Sequence, residues 1–120
     1  MELEDSILRT IVGLIGPDSD YDVFDPDIII FINSAISTLT QLGIGPPEGF
    51  RITGVDETWG DFLGDAKDLE SVKSYIYMKT RIAFDPPSTS FLLSAYQDAC
   101  KEYEWRLNVA VDPGDYRKTS

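Results

Sequence analysis

The stretch 25-DPDIIIFINSAISTLTQLG-43 decides the fold. Its run Ile28-Ile29-Ile30-Phe31-Ile32 is apolar enough for a buried strand. A strand, however, has no reason to continue the three- and four-residue rhythm of Ile28, Ile32, Ala35, Ile36, Leu39 and Leu42. The flanks agree with that rhythm. Asp25 is a capping residue, Pro26 suits the first helical position, and Gly43 follows the last apolar residue. The spacing therefore predicts a helix over residues 26–42, with Ile29, Ile30 and Phe31 widening its apolar face. So broad a face belongs to a central helix.

Working outward, residues 3–15 form a first helix with Leu3, Ile7, Leu8, Ile11, Val12, Leu14 and Ile15 on one side. Glu2, Glu4 and Asp5 lie where the helix dipole favours acids, and Gly16-Pro17 ends it. The acidic loop 18–24 leads to the Asp25 cap. After Gly43 the helical rhythm breaks. Gly45, Pro46, Pro47, Gly49 and Gly54 mark an ordered loop. Within it Phe50-Arg51-Ile52-Thr53 alternates like a short strand or hairpin arm, and residues 58–63 begin with a helical turn.

A third long helix is predicted over residues 67–83, on Leu69, Val72, Tyr75, Ile76, Ile82 and Ala83, with Asp65 or Asp68 as its cap. Asp85-Pro86-Pro87 stops it with a stiff corner, because proline removes a backbone donor and pushes its predecessor out of helical geometry. Ser88, Thr89 and Ser90 offer capping hydroxyls for a last helix over 89–110. Its predicted apolar stripe is Leu92, Ala95, Tyr96, Ala99, Tyr103, Leu107 and Ala110. The expected fold is all-α: a small four-helix bundle, with a long irregular loop or β-hairpin between the second and third helices. Residues 1–111 read as the domain and 112–120 as a polar tail.

The chemistry is sparse. The chain has no histidine and one cysteine, Cys100, so general acid–base, thiol and zinc sites lack their usual residues. Walker A, G-x-S-x-G and G-x-G-x-x-G motifs are absent. Asp18, Asp20 and Asp22 imitate the start of a calcium loop, but Val23 stands where glycine is required and Ile29 where the last glutamate belongs. No cofactor or metal is expected. With 21 acidic and 10 basic residues the net charge is −11, which disfavours gripping DNA but not sitting beside it. No apolar run approaches a membrane span, and the Met-Glu-Leu-Glu-Asp start has no basic leader. Trp59 and Trp105 serve either core or interface, with core ranked first.

Four stretches in order carry a resemblance: the N-terminal helix ending Gly-Pro; FDPDIIIFINSAISTLTQLGIGP; TWGDFL; and VKSYIYMKTRIAFDPPSTSFLLSAYQDACKEYEWRLN. The chain resembles the head–tail adaptor proteins of long-tailed phages, also called connector or head-completion proteins. The resemblance implies a non-enzymatic helical protein at the head–tail junction of the virion, assembled in the host cytoplasm. It implies a dodecameric ring of identical subunits between the portal protein and a tail-side stopper or completion protein, with DNA passing through unbound. It places portal docking at the end of the last helix and the tail, on Asn108, Tyr116, Arg117 and Lys118. Phe50, Trp59 and Trp105 become candidates for subunit contacts, and Asp85, Pro86 and Pro87 for a corner that sets the ring angle. From a different class, a small acidic regulatory protein binding a host or phage partner fits the same composition. A carboxylate-only enzyme is the third reading.

Overall fold

A computed structural model describes residues 2–16, 26–64, 69–84 and 86–111, with side chains given for residues 3–16 and up to 108 in the last helix. The order of elements is a 3-10 turn over Glu2–Glu4, then α1 (Ile7–Ile15), α2 (Pro26–Gln41), α3 (Trp59–Leu63), α4 (Leu69–Phe84) and α5 (Ser90–Val111). The fold is all-helical, as expected.

The decisive stretch is helix. In α2, Ile28, Ile32, Ala35, Ile36 and Leu39 are buried, and α2 packs on both α1 and α4. Its end is a Schellman turn. Ile44 donates its N–H to the Leu39 carbonyl at 2.9 Å, Gly43 donates to Thr40 at 3.0 Å, and Gly43 takes φ 96°. Leu39 and Ile44 are both buried, which seals the turn with apolar contact. The predicted width of the α2 face was too generous: Ile30 is exposed and Ile29 and Phe31 are only half-buried. A 16-residue helix touching two neighbours has no third surface for them to cover.

The first helix begins later than the apolar pattern suggests. Ser6, in extended geometry, caps α1 by accepting a hydrogen bond from the Arg9 N–H at 3.2 Å. Leu14, assigned to the apolar face, is half exposed. The loop 44–58 contains no strand; the one bridge among the described residues joins Ser6 to Thr58. The strand-like Phe50–Thr53 segment instead pairs with a side chain. Asn33 of α2 accepts from the Ile52 N–H at 2.7 Å and donates to the Ile52 carbonyl at 2.9 Å. That satisfies both backbone groups of a fully buried residue. Gly45 is obligatory where the loop passes α3: it has φ 82°, and a Cβ there would lie 2.4 Å from the Phe62 ring.

α5 packs chiefly on α4. Thr89 is the hydroxyl that caps it, accepting from the Leu92 N–H at 3.2 Å. The predicted stripe holds at Tyr96, Ala99, Tyr103 and Leu107 but not at its start. Leu92 and Ala95 are exposed, while Cys100 and Leu107 are buried and Leu93, Tyr96 and Tyr103 are half-buried. The calcium-like loop at Asp18, Asp20 and Asp22, the proposed caps Asp25, Asp65 and Asp68, the corner residue Asp85 and the tail 112–120 lie outside the described residues.

Candidate interaction surfaces

Two regions of the molecule gather the candidate residues. The first is built on the chain's start and α3. Trp59 donates its backbone N–H to the Asp5 carbonyl at 3.1 Å, and Ile7 donates to the Glu57 carbonyl at 3.0 Å. Thr58 and Asp61 form a capping box, each side chain accepting from the other's backbone N–H at 3.1 and 3.0 Å. These bonds bring Glu4, Asp5, Asp56, Glu57 and Asp61 into one acidic region. Glu57 is anchored within it: its carboxylate accepts from the Thr53 N–H, the Thr53 hydroxyl and the Gly54 N–H. Burial pushes this carboxyl up, but those hydrogen bonds together outweigh burial and hold it below its usual 4.5.

Trp59 lies beneath this surface. It is fully buried, and its indole N–H donates to the Thr10 hydroxyl at 3.1 Å while that hydroxyl donates to the Ser6 carbonyl at 2.7 Å. The core reading of Trp59 is the one the fold adopts, and its ring supports the acidic surface from behind. Phe50 is half-buried and stacks on Phe62 with centroids 5.0 Å apart. Beside it Glu48, Gly49 and Arg51 complete an open depression of about 420 Å³.

The second region is the outward side of α5. Trp105 is 62% exposed and Phe91 83% exposed. They are 14 residues apart, about 21 Å along the axis and about 40° around it, so they share one face. Asn108, at the end of the same helix, is exposed and reaches the Leu42 carbonyl at 3.5 Å. Arg106 pairs with Glu102 one turn earlier. The inner side of α5 is held to α4 by polar as well as apolar contacts. Tyr75, fully buried, donates its hydroxyl to Glu104 at 2.7 Å. Burial, then the Glu104 hydrogen bond and charge, push the Tyr75 phenol upward, so it stays a neutral donor.

Near the corner Arg81 donates to the Tyr77 hydroxyl at 2.9 Å and sits 6.0 Å from the Tyr96 ring centroid. Tyr77 and Tyr96 lie 6.4 Å apart. Pro87 is buried and Pro86 exposed. The α4–α5 angle is therefore held by an aromatic–cation cluster in addition to the prolines. Sequence reading missed both this cluster and the Tyr75–Glu104 bond, which joins residues 29 positions apart.

Nothing in either region is arranged for catalysis among the described residues. No three His, Cys, Asp or Glu side chains are placed to hold a metal ion. A groove of about 660 Å³ between α4 and α5 mixes Lys79, Asp98, Lys101 and Glu104 with Ser94 and Gln97. Cys100 in its wall is buried, and burial raises its thiol to about 11, so no reactive thiolate exists near neutral pH. No helix among the described residues is long and apolar enough to cross a membrane.

Residues 7–114 match the family model described as phage connector protein. The chain belongs to the phage connector protein family. The match covers all five α-helices. No curated protein and no solved structure matches the chain. Membership makes this connector a structural component of the virion, one that meets other head or tail proteins of the phage.

Proposed function

We propose that this connector forms an adaptor ring between the portal and the tail-side completion protein, extending the channel through which DNA passes. The observation that carries the reading is the family match over residues 7–114. Membership of a structural family supports a non-enzymatic role. The net charge of −11 supports the channel function: a wall of acidic subunits repels phosphate, so DNA slides through without adhering.

Within this reading residues 1–111 are the ring-forming domain, and the end of α5 with the tail docks on the portal. Asn108 is exposed there, and Tyr116, Arg117 and Lys118 follow in sequence. The cations would face acidic groups of the portal. The stiff Pro86-Pro87 corner, with the Arg81–Tyr96 cluster beside it, supports a fixed α4–α5 angle and so a defined subunit number in a ring of twelve. Phe50 and Trp105 are the surface-accessible candidates for subunit contact, with Trp59 acting from the interior.

Cryo-EM of purified phage particles tests the proposal. The expected result is a ring of this five-helix fold directly below the portal. Particles that lack the chain, or a portal-proximal ring built wholly from another protein, would overturn it.

A further inference from the structure

α5 carries two stripes. The inward one is Leu93, Tyr96, Cys100, Tyr103 and Leu107, all buried or half-buried. The other is Phe91, Ser94, Asp98, Lys101, Trp105 and Asn108, and all six are exposed. Their steps alternate between three and four residues, the spacing of a seam that meets a second helix. Residues in that register share one side of a helix, here over about 25 Å. α5 packs chiefly on α4, which takes the inward stripe, so the outer seam has no helix of the same chain laid along it.

The order of residues along the seam identifies the occupant. Laid antiparallel on a copy of itself, about a point between Ala99 and Cys100, the seam sets Asp98 opposite Lys101 twice over. The same register sets Trp105 opposite Ser94 and Phe91 opposite Asn108, a large side chain against a smaller one each time. Laid parallel, it would set Asp98 on Asp98 and Lys101 on Lys101, and like charges repel. Charged residues inside a seam fix its register and direction at a cost in stability. The other charges of α5 are engaged elsewhere. Glu102 pairs with Arg106 along the helix, and Glu104 accepts the Tyr75 hydroxyl. The seam's own charges are therefore one acid and one base, and antiparallel pairing satisfies both. Ser94, Asp98 and Lys101 also border the groove of about 660 Å³ whose α4 wall includes Lys79 and Ile82. That wall offers apolar surface beside Ser94, where the partner's indole arrives, and a further cation beside Lys101, where the partner's carboxylate arrives. The charge of −11 on each copy opposes pairing, but at physiological ionic strength it is largely screened beyond about 8 Å, whereas the seam's pairs lie in contact.

We propose that the outer seam of α5 pairs two free copies of this chain, α5 lying antiparallel on α5 with Asp98 of each copy against Lys101 of the other. The contact is isologous: it closes at two copies and does not propagate round a ring. It therefore concerns the free chain and does not rest on the ring reading. A single pair of helices in contact over this length makes a small interface, below about 1,200 Å² in total, which suits a dimer that opens readily.

The test is sedimentation of the purified full chain from about 10 to about 500 µM, a range suited to small interfaces. Wild type is expected to pass from monomer to dimer. Asp98→Lys and Lys101→Asp each set like charges across the seam and are expected to weaken pairing at least about tenfold. Both positions are exposed, so the core is untouched, and circular dichroism of each variant checks that the helices persist. An equimolar mixture of the two variants is expected to recover the dimer. The chain carrying both changes should recover it too, because acid again faces base. A wild-type chain that stays monomeric throughout, or that sediments only as a larger assembly, would overturn the proposal. Dimers that survive both single reversals would place the contact on another surface and overturn it as well. Recovery by the mixture but not by the double variant would mean a parallel seam, and recovery by neither would mean that Asp98 and Lys101 do not meet; each rejects the antiparallel pairing.

Discussion

α2 and α5 are both long helices of one small protein, yet they use their sequences in opposite ways. α2 buries five residues over 16, four of them at 0% exposure, and meets α1 on one side and α4 on the other. α5 is longer, at 22 residues, but only Cys100 and Leu107 are buried among its described side chains, and its strongest aromatics face solvent. Burial on two sides makes α2 the element that stabilises the fold. One-sided packing leaves α5 free to present a surface. Apolar content is therefore a poor guide to core membership unless the number of packing neighbours is known.

The largest effect that separates the two helices comes from truncating each at its key side chain. Ile32→Ala removes a fully buried side chain from α2 and is expected to cost about 3 kcal/mol, because the lost transfer energy is joined by a cavity. Trp105→Ala on α5 should change stability by no more than about 0.5 kcal/mol. Chemical denaturation of the two variants measures both. Equal losses would erase the contrast and place Trp105 in a core contact.

A smaller effect probes how α5 is attached. Tyr75→Phe keeps the ring and removes the hydroxyl that Glu104 accepts, an expected loss of about 2 kcal/mol for a hydrogen bond to a charged group. The loss should fall chiefly on the α4–α5 contact, so hydrogen exchange ought to rise more in α5 than in α2, whose Thr38 also reaches the phenol. Uniform loosening of both helices would show that α5 is as central as α2.

The smallest expected effect concerns the anchored loop. The carboxyl of Glu57 is held below 4.5 by bonds from Thr53 and Gly54 that outweigh its burial. A depressed folded-state value means stabilisation that is fully present above the unfolded value and is lost as pH falls through the folded one. Wild type should exceed Glu57→Gln in stability at neutral pH, and the gap should narrow below about pH 4.5. Unfolding curves across pH 3–7 for both proteins give the comparison, pH itself being roughly the range over which carboxylates titrate. A gap that is constant with pH would show that the carboxylate charge is not what ties the loop.

Some of this was legible residue by residue. The Ile28–Leu42 rhythm and Gly43 foretold α2, because periodicity and a left-handed glycine are local properties. Thr89 was among three hydroxyls named for capping α5, and proline punctuation marked the corner. The interaction surfaces were less legible. Trp105, for which core was ranked first, is 62% exposed, Leu92 was misassigned to the apolar stripe, and Phe91 passed without notice. Asn33 gave no signal of its pairing with Ile52, since an asparagine on a helix is ordinarily just a solvated residue.

What the amino-acid sequence determined alone is the all-helical class, the order of the elements and the family to which their combined pattern belongs; the helix that touches α1, α2 and α5 is α4, not the expected α2. Each depends on short-range spacing, capping chemistry or linear order, all of which the chain carries locally. Only the tertiary structure decided which side of α5 faces inward, that Trp59 is core, and that Tyr75 meets Glu104. α5 has apolar groups around much of its circumference, so its own pattern leaves several rotations nearly equivalent. The choice among them is made by α4, which offers one buried phenol to one carboxylate and leaves Phe91 and Trp105 of α5 exposed.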